Sequence, residues 1–473
     1  MNKKKLYEKF NQAINWNLFL YAIKKSLFFL LSIVLFKNLT TRDFSAWANI
    51  NCAIFLLLLW IDFGFRKSLP RYCPEFAKNK QSMKRFIRYL VIFQAIALTV
   101  TTPVFFFLAH LLANGLLFAH MRPFVSIGCM LFFVEGVVAI MRLIYHSYFW
   151  HRTFNLLSSV VLGMEMSTTL LLISILNSSS KMLLCLFGIK IVGGVIILVV
   201  SFYMLPALFK DKSYPQKGSI DFKKKGKEFI RHSGIMWTNN TIKSLTERNF
   251  LVPLFTYLLG PVPANFFKVA NDGALFFQRI VLKTIGTTDT SLLSHTTERK
   301  GELQNTFEKL TTKVAGLCLP LLGIIIVLFL GTHYRPSGPS AVTLFFMLTS
   351  CYLLHALLSP YERVLEVKRK YKNLLFGYLP YLVMIFLFLF FDVIPSVGLF
   401  LSVLIVHIVR LVSAALLIYF ARAQFRLQFP LQFALLIFGA SLAAGLILYL
   451  VWSVVTPFFS LSSFLSGSNP AGT

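Results

Sequence analysis

Long apolar segments alternate with short basic segments along the whole chain. A bilayer core is crossed by about 20 apolar residues in a helix, and we count thirteen segments of that kind. They cover approximately residues 16–36, 46–65, 87–113, 123–146, 154–176, 181–205, 235–259, 264–285, 314–334, 340–360, 374–392, 396–420 and 431–455. The pattern predicts an all-α polytopic membrane protein with about 12–14 transmembrane helices.

The longest connection between these segments divides the first twelve predicted helices into two sets of six. It carries the run Lys223-Lys224-Lys225 and two prolines. We therefore predict an N-terminal six-helix lobe, a basic cytoplasmic linker, a C-terminal six-helix lobe, and an extra helix with a tail. Their bounds are 1–205, 206–234, 235–420 and 421–473. Paired helical lobes around a central cavity are a recurrent transporter design.

The distribution of charge predicts the orientation. The 473 residues include 47 Lys and Arg against 18 Asp and Glu. With the N-terminus inside, the inner connections hold 33 of the basic residues and the outer ones hold 5. This asymmetry follows the positive-inside rule and predicts a cytoplasmic N-terminus. It also accounts for the net charge of +29 without a nucleic acid partner. The six cysteines are scattered, so no disulfide framework, metal site or cofactor is predicted.

Charged residues inside the apolar segments are the candidate functional groups. Nine are cations: Lys24, Lys25, Lys190, Lys243, Arg248, Lys268, Arg279, Lys283 and Arg410. Five are acids: Asp62, Glu135, Glu165, Glu247 and Asp272. A charge in the membrane interior is costly and usually faces the bundle interior. The excess of cations predicts a negatively charged partner.

The eighth segment has the clearest pattern. Lys268, Asp272, Arg279 and Lys283 fall within an arc of about 60° on a helix. Lys268 and Asp272, at positions i and i+4, are spaced to neutralise each other. Arg279 and Lys283 either face a cavity or reach the interface. Lys243 and Glu247 have the same i, i+4 spacing, either at an amphipathic helix start or in a buried site.

The remaining charges leave two interpretations open at each position. Lys24 and Lys25 point about 100° apart, so one faces the cavity while the other pairs or reaches the interface. Glu165 is the deepest acid, and either couples an ion or forms a structural pair. Asp62 either joins the site or balances the basic residues that follow it. The candidate substrate-binding cations are Lys24, Lys25, Lys243, Arg248, Lys268, Arg279 and Arg410. The candidate ion-coupling or pairing acids are Asp62, Glu135, Glu165 and Asp272.

Three stretches of the sequence are similar to motifs of one known protein family. The second segment ends in Ile61-Asp62-Phe63-Gly64-Phe65, similar to an Asp-x-Gly motif of that family. The run from Gly260 to Ala270 resembles the family's Gly-x-x-x-x-Ala-x-Tyr-x-x-Ala pattern, with Phe267 in place of Tyr. Ser291-Leu292-Leu293-Ser294 and Glu302-Leu303 resemble the loop before its ninth helix. By these features the chain resembles the MOP exporter superfamily, on its polysaccharide and oligosaccharide flippase branch.

This resemblance implies a flippase of the bacterial inner membrane. Such a protein moves an undecaprenyl-pyrophosphate-linked oligosaccharide, of the O-antigen type, between leaflets by alternating access, and it is not an enzyme. The cavity cations are then expected to hold the pyrophosphate. Membrane lipids, a glycan polymerase and the glycosyltransferases of the same pathway are the expected partners.

Two alternatives remain at this stage. A multidrug or cation antiporter of the MATE type has the same architecture, although a cationic drug favours carboxylates in the cavity. A membrane glycan polymerase or ligase is disfavoured because the outer connections are short. A structural scaffold gives no reason for so many intramembrane charges.

Overall fold

The structure, a computed structural model, describes residues 3–76, 79–114, 119–147, 151–176, 178–210, 221–296, 302–333, 341–391 and 393–455. Throughout these residues the chain is almost entirely helical. The first half contains α1 (Lys3–Asn38), α2 (Thr41–Ile61), α3 (Phe65–Phe76), α4 (Lys80–Asn114), α5 (Val125–Ser147), α6 (His151–Ile175) and α7 (Ser179–Lys210). A short 3₁₀ helix, Ala119–Phe124, precedes α5.

The second half contains nine further helices. They are α8 (Phe222–Ser244), α9 (Arg248–Leu259), α10 (Pro261–Thr296), α11 (Glu302–His333), α12 (Ala341–Val367), α13 (Tyr371–Gly377), α14 (Leu379–Phe390), α15 (Val393–Phe425) and α16 (Leu431–Val455).

The predicted polytopic all-α membrane architecture is confirmed. Among the described residues, nine helical segments are long and apolar enough to cross a bilayer. They correspond to the second to sixth and ninth to twelfth predicted segments. The first, seventh, eighth and thirteenth predicted segments are also helical. Three of those four carry the candidate cations Lys25, Arg248 and Lys268 and are therefore less apolar.

The seventh predicted segment, 235–259, is not one continuous helix. It is divided into α8 and α9 by Leu245, Thr246 and Glu247. The hydroxyls of Ser244 and Thr246 donate to the carbonyls of Thr241 and Lys243 at 2.7 and 3.0 Å. Such local hydroxyl bonds compete with the helical ladder, which explains why the helix ends here.

The chain forms two compact units. One comprises Met1–Asp272 and Lys368–Phe420, and the other comprises Gly273–Val367 and Ala421–Thr473. The six-helix lobes predicted at 1–205 and 235–420 remain a prediction.

In the first unit, α1 packs on α6, α2 on α9, α3 on α8, and α5 on both α4 and α7. In the second, α11 packs on α12 and α16. Small residues allow the close approach of α11 and α16, because a Cβ on Gly323 would lie 2.5 Å from Ser441 Cβ.

Candidate functional site

Three buried side chains converge on one buried carboxylate in the first unit. Asp272 accepts ion-paired hydrogen bonds from Arg248 Nη1 and Lys268 Nζ. Ser32 Oγ donates to the same carboxylate at 2.9 Å. We call these four residues the Asp272 cluster. Two cations share one carboxylate, so the cluster carries a net positive charge.

Three helices bring the Asp272 cluster together. Ser32 lies on α1, Arg248 is the first residue of α9, and Lys268 and Asp272 lie one turn apart on α10. The i, i+4 spacing of Lys268 and Asp272 follows from the helix alone. Arg248 and Ser32 reach the carboxylate only because their helices pack against α10.

Aromatic rings surround the cations of this cluster. Lys268 Nζ lies 4.4 Å from the centroid of the Trp47 ring. The Phe28 ring lies 5.6 Å from Lys268 Nζ, 5.9 Å from the Arg248 guanidinium and 5.6 Å from Lys25 Nζ. Cation–π attraction partly replaces the water that a buried cation loses. Together with the ion pair, it explains why Lys268 is only 1% exposed.

The break between α8 and α9 is held by a second buried arginine. Arg410, on α15, donates from Nη2 to the carbonyl oxygen of Thr246. That carbonyl lies two residues before Arg248. The Arg410 guanidinium thereby stabilises the end of α8 and the start of α9. The expectation from the sequence that Arg410 is a substrate-binding cation stays a prediction.

The same break changes the prediction for Lys243. Because Lys243 lies on α8 and Glu247 follows the break, the two residues no longer share one helix. Lys243 Nζ instead lies 5.9 Å from the centroid of the Tyr378 ring. The i, i+4 relation expected from the sequence therefore does not apply to this pair.

A second group of charges lies in the same unit, on α1, α5, α6 and α7. Glu165 lies within electrostatic range of Lys190, Glu135 and Lys24, and Lys24 lies within range of Arg142. We call these five residues the Glu165 cluster. It holds three cations and two carboxylates, and the sequence predicted its Lys24, Glu135 and Glu165 as site residues.

Neighbouring residues hold the Glu165 cluster in place. Lys190 Nζ donates to Asn51 Oδ1 at 2.5 Å. A Cβ on Gly193 would lie 3.0 Å from Glu165 Oε1. The absence of a side chain at Gly193 therefore lets α6 bring its carboxylate against α7.

Asp62 has a structural role in the turn between α2 and α3. Its carboxylate oxygens accept from the backbone N–H of Arg66 at 3.1 and 3.2 Å. It thus satisfies a free N–H group at the start of α3.

The side chain of the remaining candidate, Arg279, lies outside the described part of the structure.

Sequence reasoning missed Ser32, Phe28 and Trp47. Residues of these types occur throughout the apolar segments, so nothing in their local pattern separates them from core residues. Their roles depend on contacts with α9 and α10.

No protein-family model and no curated protein sequence matches the chain significantly. Solved structures do match. The lipid II flippase MurJ, in an inward closed conformation, has a TM-score of 0.63 and 12% identity, and the match covers 96% of this chain and 97% of MurJ. A multidrug resistance MATE family transporter of the MOP superfamily, in an outward-facing conformation, has a TM-score of 0.60 and 15% identity, with 87% and 95% covered.

A third similar structure is a MOP superfamily transporter from Pyrococcus furiosus. It has a TM-score of 0.60 and 14% identity, with 87% of this chain and 95% of that chain covered. The reversed polarity of its binding pocket suggests a different function for that protein. This chain has the MOP transporter fold. A flippase and a multidrug transporter both have this fold.

Proposed function

We propose that this chain is a MOP-type flippase of the inner membrane that translocates a polyprenyl-pyrophosphate-linked oligosaccharide by alternating access. One observation carries the proposal, namely the excess of intramembrane cations in the first unit. The Asp272 cluster, the Glu165 cluster and Lys25 together place six cations against three carboxylates. A pyrophosphate supplies the complementary charge.

The Asp272 cluster suggests how such a substrate is bound and released. Arg248 and Lys268 are both occupied by Asp272 in this structure. A pyrophosphate competes with that carboxylate for the same two cations, because phosphate oxygens are strong acceptors for Arg and Lys. Since Ser32 also binds Asp272, displacement of the carboxylate releases a contact between α1 and α10. Binding is thereby linked to helix movement, as alternating access requires.

Two of the similar structures support this proposal. One similar structure is a flippase for lipid II, and another MOP transporter has a binding pocket of reversed polarity. In the proposed pathway, glycosyltransferases supply the lipid-linked glycan and a polymerase consumes it after translocation.

Transport by the purified protein in vesicles tests the proposal. The probe is a fluorescent polyprenyl-pyrophosphate oligosaccharide, and the readout is its loss from one leaflet. Lys268→Gln leaves Asp272 with Arg248 and Ser32, so the carboxylate keeps its partners. We expect this variant to reduce transport about tenfold or more, because a hydrogen bond to a charged group contributes about 1.5–3 kcal/mol.

Lys309→Gln is the matched control, since Lys309 is exposed on α11. It should transport as the unmodified protein does. Unchanged transport in both Lys268→Gln and the double variant Arg248→Gln/Lys268→Gln contradicts the cationic site. Absence of transport in the unmodified protein contradicts the substrate class.

A MATE-type cation antiporter is the second candidate, and the electrostatic interaction between Glu135 and Glu165 favours it. A pair of carboxylates in a low-dielectric setting can exchange a proton against a cationic substrate. Export of a cationic dye that is abolished by Glu165→Gln supports this candidate. Dye export at background level in the unmodified protein excludes it.

A further inference from the structure

One end of the first unit brings several basic segments together. Helices α3, α4, α8 and α13 are joined there by side-chain contacts. The Phe229 ring on α8 lies 5.3 Å from Phe65 on α3 and 5.2 Å from Phe86 on α4. His232 Nδ1 shares a hydrogen bond of 2.7 Å with Tyr371 Oη on α13. These contacts hold the four helices as one surface, which we call the basic end.

Exposed cations dominate the basic end. Examples from each helix are Arg66, Lys67, Lys84, Lys223, Lys224 and Lys372. Two carboxylates at the start of α8 are already engaged: Glu228 pairs with Lys225 at 3.0 Å, and Asp221, the N-cap residue, accepts from the backbone N–H of Lys224 at 3.0 Å. The exposed cations named here outnumber these two carboxylates, so the charge of this surface is complementary to an anionic partner.

Apolar and aromatic side chains beside these cations indicate what the partner is. Tyr89 and Ile230 are 50% and 69% exposed. The Arg85 guanidinium lies 5.5 Å from the Tyr89 ring and 5.0 Å from the Phe222 ring. Exposed aromatic rings next to basic side chains are typical of the level of lipid headgroups. Water-soluble anions give no reason for the exposed apolar side chains.

We propose that the basic end binds the phosphate headgroups of anionic phospholipids in the adjacent leaflet. Basic residues near an anionic membrane surface each add about fivefold to binding. The exposed aromatic and aliphatic side chains contact the acyl chains just below the headgroups. This inference concerns resident lipids and does not depend on which substrate is transported.

Native mass spectrometry of the full chain, with added phosphatidylglycerol or phosphatidylcholine, tests this inference. We expect preferential binding of phosphatidylglycerol and a loss of about tenfold or more in Lys223→Gln/Lys224→Gln. Lys309→Gln/Lys313→Gln removes two exposed charges from α11 and is the matched control. It should retain the preference.

Salt provides a second measurement that needs no variant. Raising the salt concentration from 0.05 to 0.5 M should weaken phosphatidylglycerol binding, because the headgroup contacts are exposed to screening. Equal binding of the two lipids by the unmodified protein overturns the inference. An equal loss of phosphatidylglycerol binding in the two double variants also overturns the inference, because the effect is then due to net charge rather than to this surface.

Discussion

Lys268 shows how a cation is accommodated within this membrane protein. Its ammonium has an ion pair with Asp272 and lies over the face of Trp47. Both contacts offset the loss of water, which otherwise makes a buried charge costly. In this structure, these two contacts hold the Lys268 ammonium in place.

Removing the shared carboxylate should be strongly destabilising. Asp272→Asn leaves Arg248 and Lys268 buried without their counter-charge, and loss of one partner from a buried pair costs about 3–5 kcal/mol. Thermal unfolding in detergent measures the effect. Asp221→Asn is the control, because Asn also caps a helix and the residue is exposed. Equal unfolding temperatures for the two variants contradict the role assigned to Asp272.

Gly193 controls the contact between α6 and α7. A Cβ there would lie 2.6 Å from Val161 Cγ1 as well as 3.0 Å from Glu165 Oε1. We expect Gly193→Ala to destabilise the protein by about 1–3 kcal/mol through overpacking. Gly188→Ala on the same helix meets nothing within 4 Å and should be neutral or stabilising. Thermal unfolding in detergent measures both variants. An unfolding temperature of Gly193→Ala as high as that of Gly188→Ala contradicts the overpacking.

Among the helices, the most consequential feature is the interruption between α8 and α9. It turns the chain so that Arg248 begins a new helix and reaches Asp272. It also exposes a carbonyl oxygen, which Arg410 binds. By binding the backbone two residues before Arg248, Arg410 helps to position Arg248 in the Asp272 cluster.

Loss of the Arg410 contact should loosen this interruption. In Arg410→Gln, the amide hydrogens of residues 245–248 should exchange faster, because their turn loses its support. Hydrogen exchange with mass spectrometry measures this locally. Arg422→Gln, an exposed substitution on the same helix, provides the control. Unchanged exchange at 245–248 in Arg410→Gln argues against a bracing role.

The turn between α2 and α3 is held against α8 by a glycine. Gly64 has φ of +75°, and a Cβ there would lie 2.2 Å from the carbonyl oxygen of Ser233. Gly64→Ala should therefore cost more than about 1–3 kcal/mol, the usual range for backbone strain alone. Gly234→Ala meets nothing within 4 Å and should be tolerated. Similar expression and unfolding temperatures for both variants contradict this account.

For the whole molecule, the charge asymmetry predicts one orientation in the membrane. The positive-inside rule predicts Lys67 inside and Lys37 outside. In a background without the native cysteines, Lys37→Cys should react with an impermeant thiol reagent in intact cells. Lys67→Cys should react only after permeabilisation. The reverse labelling pattern shows that the orientation prediction is wrong.

Much of the architecture could be predicted from the chain alone. Apolar length and the helical period are local properties, so the sequence predicted the polytopic all-α fold that the structure confirms. The same period placed Lys268 one turn from Asp272. The interruption at residues 245–247 was not predicted, because a polar helix and a broken one have similar compositions.

The sequence by itself determined which charges enter the membrane-spanning helices and in what excess. Only the tertiary structure decided which of them meet. Arg248 lies 24 residues from Asp272, and Ser32 lies 240 residues away. Contacts across helices depend on packing and on the turns between helices. No periodicity within one helix encodes them.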